Sequence, residues 1–240
     1  MNPTFIDTRE SANGRLQLFF WMHPEWWTVA ICGFAWVAML FHAWQHAAHG
    51  SHHFVPLASE TGYWMLMVAA MMLPLTLASV RVTANGSLWS RRHRAIAGFL
   101  AGYFVPWLVL GIVVAALRAA SWTHTYSAAS LAFVVAALWQ RTSVHAKFLI
   151  DCHRRPPLAP AGWQADRDCL RFGAFIGVVC VGSCWPLMVA CTFAEHGFVA
   201  MTGGMAIGAF ERFPYRPRTT AMLVGTLALA GYYGLRAVLD

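Results

Sequence analysis

Apolar residues fall into long blocks along this chain, separated by short polar stretches. Seven blocks contain no Asp, Glu, Lys or Arg: residues 26–41, 61–80, 95–117, 122–140, 172–194, 196–210 and 219–235. Roughly 20 apolar residues are enough for a helix to cross the hydrocarbon core of a bilayer. The pattern therefore predicts an all-α fold, a polytopic transmembrane helical bundle of about seven spans in which the sixth is the shortest, forming one domain over residues 1–240.

The basic residues test this count independently of hydropathy, because cytoplasmic loops of membrane proteins carry the excess of Lys and Arg. The N-terminal arm and the second, fourth and sixth loops hold 15 of the 17 basic residues, and only Arg118 and Arg236 fall in the other set. This alternation places the N terminus in the cytoplasm and the C terminus in the periplasm. It also predicts an interfacial arm over residues 1–25 and a cytoplasmic loop over residues 141–171. Basic residues in that loop would lower the pKa of the Cys152 thiol and favour a metal-binding thiolate; an ordinary solvated loop is the competing interpretation. Glu211 and Arg212, at the inner end of the sixth span, are expected to form an interfacial ion pair.

Composition and charge agree with a membrane class. Hydrophobic residues make up 58% of the chain and charged residues 11%, against about 25% charged in an ordinary soluble domain. The net charge of +7 lies on inner loops, where it would meet anionic lipid. The expected location is the bacterial inner (cytoplasmic) membrane, multi-pass. The expected partners are the lipid bilayer, partner subunits or a metallochaperone, and no nucleic acid.

A row of sulfur atoms is the most informative chemical feature. Cys180, Cys184, Met188 and Cys191 recur at offsets of three and four in the fifth predicted span, so they share one helix face. We call these four residues the sulfur stripe. Met71 and Met72 in the second span and Met205 in the sixth lie at a similar predicted depth. Soft thiolate and thioether ligands select copper(I), with zinc or another transition metal as the alternative; ordinary core packing is the competing interpretation.

Histidines are concentrated on the predicted periplasmic side. His42, His46 and His49 recur at helical spacing after the first span, so an extended helix would align three imidazoles for a metal. His52 and His53 follow in the same loop, and Glu60, Glu195 and His196 would close the site from neighbouring helices. The competing interpretation is that these are interfacial polar side chains.

The residues resemble a known family over roughly positions 60–212. The resemblance rests on Ala70-Met71-Met72-Leu73-Pro74, on Gly102-Tyr103 with Trp107, on the segment from Gln140 to Cys152, and on the segment from Cys180 to Met188. The chain is similar to the predicted metal-binding integral membrane proteins described as domain of unknown function 2182. That family commonly has paired cysteines where this chain has Ser183 and Cys184. The resemblance implies metal binding and names neither the metal nor an activity.

Three functions remain open from the sequence. The first is a copper-handling membrane protein that captures metal at the periplasmic histidines and holds it, or passes it on, at a mid-membrane Cys/Met site. The second is an accessory or assembly subunit of a larger membrane complex, such as a copper-dependent oxidase or monooxygenase. The third is an enzyme that uses the histidine cluster as a catalytic copper site; no motif defines a substrate, so a non-enzymatic role is favoured. No Walker-type sequence is present, which argues against nucleotide hydrolysis as an energy source.

Overall fold

The fold is known from a computed structural model that describes Gly14, Phe19 and residues 22–49, 57–120, 126–195, 197–212 and 219–239. Helices are the only regular elements in these ranges. They are α1 (Trp26–His49), α2 (Leu57–Met71), α3 (Leu73–Gly86), α4 (Arg92–Ala120), α5 (Tyr126–Trp139), α6 (Ser143–Asp151), α7 (Gly162–Phe193), α8 (Phe198–Arg212) and α9 (Thr219–Leu239), with a 3-10 turn at Trp89–Arg91. The predicted all-α class is therefore confirmed, and most of the predicted arm over residues 1–25 lies outside the described residues.

Three helical segments are long and apolar enough to cross a membrane: Trp89–Arg118, Gly162–Phe193 and Thr220–Leu239. Helices α2 and α3 would form a fourth span together, although they are bent by 67° at their junction. Two shorter apolar helices, Trp26–His42 and Tyr126–Trp139, complete the set found in the described ranges. The structure is thus compatible with a membrane protein of three or four clear spans, and the count of seven stays a prediction.

Helix α7 is the centre of the packing. It contacts α4, α5, α6 and α8, and 61% of its apolar 18-residue stretch is buried inside the structure. Its closest neighbour is α4, because glycines remove side chains from the contact. A Cβ at Gly177 would lie 2.6 Å from the Tyr103 carbonyl oxygen, and Gly102 and Gly173 face the opposing backbone just as closely. Small residues let helix backbones approach in this way.

The second predicted span, residues 61–80, is broken at Met72. Pro74 has no N–H, so it cannot bond the carbonyl four residues earlier, at Ala70. Two side chains of α1 replace that missing donor: Trp36 Nε1 donates to the Ala70 oxygen at 3.0 Å, and Cys32 Sγ donates at 3.3 Å. The bend is therefore held by side-chain hydrogen bonds, and it leaves both Met71 and Met72 with no exposed surface.

Pro186 has a milder effect, because α7 continues through it as one helix. The carbonyl it would free belongs to Gly182. Trp139 Nε1 donates to that oxygen at 3.1 Å, from the last residue of α5. An indole N–H thus satisfies a proline-freed carbonyl twice in this fold. Buried carbonyls need such partners, since leaving one unsatisfied costs about 1–3 kcal/mol.

Ion pairs join segments that are distant in the chain. Glu25, which precedes α1, accepts from Arg81 of α3 at 2.8 Å. Asp166 of α7 accepts from both Arg91 and Arg94, each at 2.8 Å. These contacts fix the ends of the helices relative to each other.

We predict that replacing Trp36 with Phe destabilises the fold, because the Ala70 carbonyl would lose its indole donor. Because Cys32 still donates to that oxygen, the expected loss is that of one hydrogen bond, about 0.5–1.5 kcal/mol, measured as a lower midpoint of thermal unfolding in detergent. Trp44→Phe is the matched control, since Trp44 lies on the same helix and is 66% exposed. Equal midpoints for the Trp36 and Trp44 variants would contradict this account of the bend.

Candidate metal centre

The bend at Met72 brings a methionine against the sulfur stripe. The Cys180 and Met72 sulfur atoms are 4.0 Å apart, and Cys184 follows Cys180 by one turn on the same face of α7. All three side chains are at most 1% exposed. Tyr103 Oη lies 3.2 Å from Cys180 Sγ and completes the contact from α4. We call Met72, Cys180 and Cys184 the Cys180 cluster.

A buried guanidinium faces this cluster. Arg212, the last residue of α8, places its Nη2 atom 2.9 Å from Cys180 Sγ and 3.9 Å from Cys184 Sγ. Its side chain is only 8% exposed. In the described part of the chain no carboxylate forms a salt bridge with it, and its Nε atom has no hydrogen-bond partner. A buried charge is costly unless it is paired, so the thiols are its available counter-charge.

The neighbouring Glu211 serves a different network. Its Oε1 atom accepts from Gln140 Nε2 at 3.0 Å, and its Oε2 atom lies 3.5 Å from His145 Nε2. Gln140 in turn accepts from Thr226 Oγ1 at 3.1 Å. Adjacent residues of a helix point in different directions, which explains why Glu211 does not neutralise Arg212. The Glu211 carboxylate thus connects α8 directly to His145 of α6 and to Gln140 at the end of α5. Through Gln140 it is also linked to Thr226 of α9.

At the other end of the stripe, Cys191 and Met71 both pack against Gly204 of α8. Met71 Cε and Cys191 Sγ would lie 2.9 and 3.1 Å from a Cβ at Gly204, so both side chains converge on this glycine of α8. Cys191 Sγ also donates to the Ala200 oxygen at 3.3 Å. Cys191 lies roughly 16 Å along the helix from Cys180. Met188 is fully buried between the two levels.

Met205, the predicted sulfur residue of α8, packs against the core as a partly buried side chain. It lies one position beyond Gly204 and therefore on a neighbouring face of α8.

The predicted inner loop, residues 141–171, is largely helical and lies against the Cys180 cluster. Thr142 caps the start of α6, where its hydroxyl accepts from the His145 N–H at 3.2 Å, and Cys152 caps the end. Phe148, one turn before Cys152, packs on Gly182 of α7. Neighbouring basic groups would lower the pKa of Cys152, but burial outweighs Arg212 and raises it to about 11. The expectation of a thiolate with a lowered pKa at this position is wrong for that reason.

The predicted histidine site lies mostly beyond what the structure describes. Helix α1 extends to His49, so His42, His46 and His49 do keep helical spacing, and the His42 ring packs on Tyr63 with centroids 3.9 Å apart. The side chains of His46 and His49 and the whole of His52, His53 and His196 lie outside the described residues. Glu195 is exposed and has a φ of 54° at the end of α7.

Glu60, which the histidine site would share, is paired elsewhere. Its Oε2 atom lies 3.3 Å from Arg118 Nη1, and Arg118 also donates to the Thr192 oxygen at 3.4 Å. Within the described residues no three His, Cys, Asp or Glu side chains converge as a metal-binding group.

The donors that do meet in the Cys180 cluster are two thiols and one thioether. This set is soft, dry and low in coordination number, which fits copper(I) and fits the harder divalent ions poorly. A buried cation beside it complements thiolate charge. Two thiols, one thioether and a buried cation are thus the groups that the described part of the chain brings together here, within a bundle of apolar helices.

A comparison with models of protein families points to copper as well. The model of the PpoB2 family, described as copper chaperone, matches residues 61–234, and the chain belongs to that family. Neither the curated proteins nor the solved structures contain a match. The match supports the copper-related role predicted from the sequence, while the label of domain of unknown function 2182 stays a prediction. It covers the bend, the sulfur stripe, Cys152 and Arg212.

Sequence reasoning missed Arg212 and Tyr103 as members of the site. Arg212 was predicted to pair with Glu211 at the membrane interface, and the structure instead buries it against Cys180. The available signal was a single Arg at the end of an apolar segment rich in glycine. The partner helix could not be identified from that signal, because it depends on how α7 and α8 pack.

Proposed function

We propose that this protein is an integral membrane copper chaperone that holds Cu(I) between Cys180 and Cys184, with Met72 within reach, and passes it on. The observation that carries the proposal is the buried guanidinium of Arg212, 2.9 Å from Cys180 Sγ. Copper is the cargo here, and it remains Cu(I) throughout. Hand-off between ligands requires no nucleotide.

Charge balance explains why a cation belongs at this site. Two thiolates and one Cu(I) ion carry a net charge of −1, and Arg212 brings the buried group to neutrality. Charges in a low-dielectric interior interact strongly, and an unpaired one is expensive. The Arg212 guanidinium therefore stabilises the copper-loaded site, whose two thiolates would otherwise leave a net negative charge buried.

The remaining sulfur atoms offer a route to this site. We infer that Met71, Met188 and Cys191 provide weaker ligands between the Cys180 cluster and the end of α7. The histidines at positions 42, 46, 49, 52, 53 and 196, with Glu195, would capture copper beyond that end. Imidazole suits copper at an oxidising face, and thioether or thiolate suits Cu(I) further in.

For topology we propose seven spans in the bacterial inner membrane, with the N terminus in the cytoplasm. Three polar contacts support it, because each joins segments assigned to one side. Glu25 with Arg81, and Asp166 with Arg91, join inner segments; Glu60 with Arg118 joins outer ones. The Cys180 cluster contacts the last residue of α8 and would lie in the inner half of the bilayer.

We predict that the Cys180→Ser/Cys184→Ser double variant loses its copper. Protein purified anaerobically in detergent without chelator should contain about one copper per chain by elemental mass spectrometry, and the variant at least tenfold less. Cys169→Ser is the matched control, since Cys169 is equally buried on the same helix and should keep its copper. Copper-free protein in all three samples would contradict the proposed copper site and would favour the role of an accessory subunit.

Replacing Arg212 with Met is predicted to weaken Cu(I) binding while leaving the ligands in place. The expected loss is roughly 10–100-fold, because hydrogen bonds to charged groups contribute about 1.5–3 kcal/mol. Competition with the chromophoric chelator bicinchoninate at constant pH measures the affinity. Arg212→Lys keeps the charge and should fall between the two. Equal affinity for the Met variant and the unmodified chain would show that Arg212 is not the counter-ion.

The topology predicts the behaviour of reporter fusions. Alkaline phosphatase fused after Asp240 should be active, since the C terminus is assigned to the periplasm, and green fluorescent protein at the same position should be dark. Fusions after Ala161, in the inner segment, should give the opposite pair of results. Matching reporter activity at both positions would rule out the proposed orientation.

A further inference from the structure

The proposed copper site has no direct access to a partner protein. Cys180 is 0% exposed and Cys184 is 1% exposed, and α4, α5, α6 and α8 cover the helix that carries them. Copper moves between proteins by exchange of one ligand for another, so a ligand of the acceptor must meet the metal. Some residue that touches both the site and the surface is needed for release.

Cys152 has this position. It is a partly exposed free thiol at the end of α6, and the residues that follow it, 153–157, are exposed. Cys152 follows Phe148 by one helical turn, so both lie on the same side of α6, and Phe148 packs on Gly182, the residue before Ser183. The Ser183 hydroxyl lies 3.4 Å from Cys184 Sγ and accepts from Arg212 Nη2 at 3.3 Å. The side of α6 that carries Cys152 therefore faces the part of α7 that carries the buried pair.

The element that carries Cys152 is fixed against the site. Phe148 of α6 packs on Gly182 of α7, where a Cβ would lie 2.6 Å from the ring. His145 lies buried beside Glu211. These contacts are made by α6 itself, so the position of Cys152 relative to Ser183 does not depend on the exposed segment after it.

We propose that Cys152 is the exit ligand of this protein, through which Cu(I) leaves the Cys180–Cys184 pair for a thiolate of an acceptor protein with an acidic surface. This inference rests on the proposed copper-holding function. The acceptor's charge is argued from Arg141, Lys147 and Arg155, all exposed on the segment around Cys152. Opposite charges on two partners accelerate their encounter.

The transfer is a ligand exchange without oxidation or reduction. A Cu–S bond to Cys152 forms as the Cu–S bond to Cys184 breaks, and copper stays Cu(I). The Cys152 thiol gives up its proton as it binds copper, and the departing Cys184 sulfur takes one up, so the number of bound protons is unchanged. The acceptor's thiolate then replaces Cys152, which takes a proton back from water. The last Cu–S bond, to Cys180, breaks as a second ligand of the acceptor binds the copper, and the Cys180 thiolate keeps its negative charge beside Arg212.

The test separates holding copper from releasing it. The full chain in detergent is loaded with Cu(I) anaerobically and mixed with excess bicinchoninate, an anionic chelator whose copper complex is coloured. Cys152→Ser and Cys152→Ala should keep the copper content of the unmodified chain and release it at least tenfold more slowly. Cys169→Ser, the matched control at a buried cysteine away from Ser183, should release copper at the unmodified rate.

Each other outcome is decisive. Release from both Cys152 variants at the unmodified rate would overturn the exit role and leave the copper-holding function standing. Loss of copper from both variants, with helical content unchanged by circular dichroism, would make Cys152 a holding ligand and would also overturn it. Absence of copper from the unmodified chain would overturn the proposed function itself, and the exit role with it.

Discussion

A guanidinium buried among apolar helices is the constraint around which this site is organised. Arg212 is 8% exposed and forms no salt bridge within the described residues. Leaving a charge unpaired in such a place costs several kcal/mol, so the surrounding groups must supply negative charge. Cys180, Cys184 and Ser183 are the groups within reach of its Nη2 atom. Holding a monovalent metal between two thiolates is one way to satisfy that demand.

The two prolines near the site impose a second requirement, that buried carbonyls find donors. Pro74 and Pro186 each leave one carbonyl without its helical donor, and in each case an indole N–H from another helix donates to it, from Trp36 and Trp139 respectively. Both prolines lie beside the Cys180 cluster, since Pro74 follows Met72 and Pro186 follows Cys184. The same two hydrogen bonds therefore join α1 and α5 to the helix segments that carry the sulfur atoms.

Sequence patterns were sufficient for the all-helical class and for the shared face of the sulfur stripe, because both depend on local periodicity. Offsets of three and four residues place Cys180 and Cys184 on one face whatever the fold around them. The pairing of Met72 with Cys180 was expected only as a shared depth, and the contact depends on the bend at Pro74. The partners of Arg212 and Cys152 depend on how α8 and α6 pack against α7. No local pattern carries that information, and for this reason the Glu211–Arg212 pair was predicted wrongly.

Ser183 lies at a position where the family that the sequence resembles commonly has a cysteine, and the contacts of its hydroxyl give this difference a physical meaning. The hydroxyl contacts Arg212 and Cys184, so it has a hydrogen-bonding role without adding a soft ligand. In the proposed copper site, a third thiol between Cys180 and Cys184 would add one more soft donor for Cu(I). Two thiols and one thioether would leave the proposed cargo fewer bonds to exchange. Exchange of ligands is what the proposed chaperone function requires.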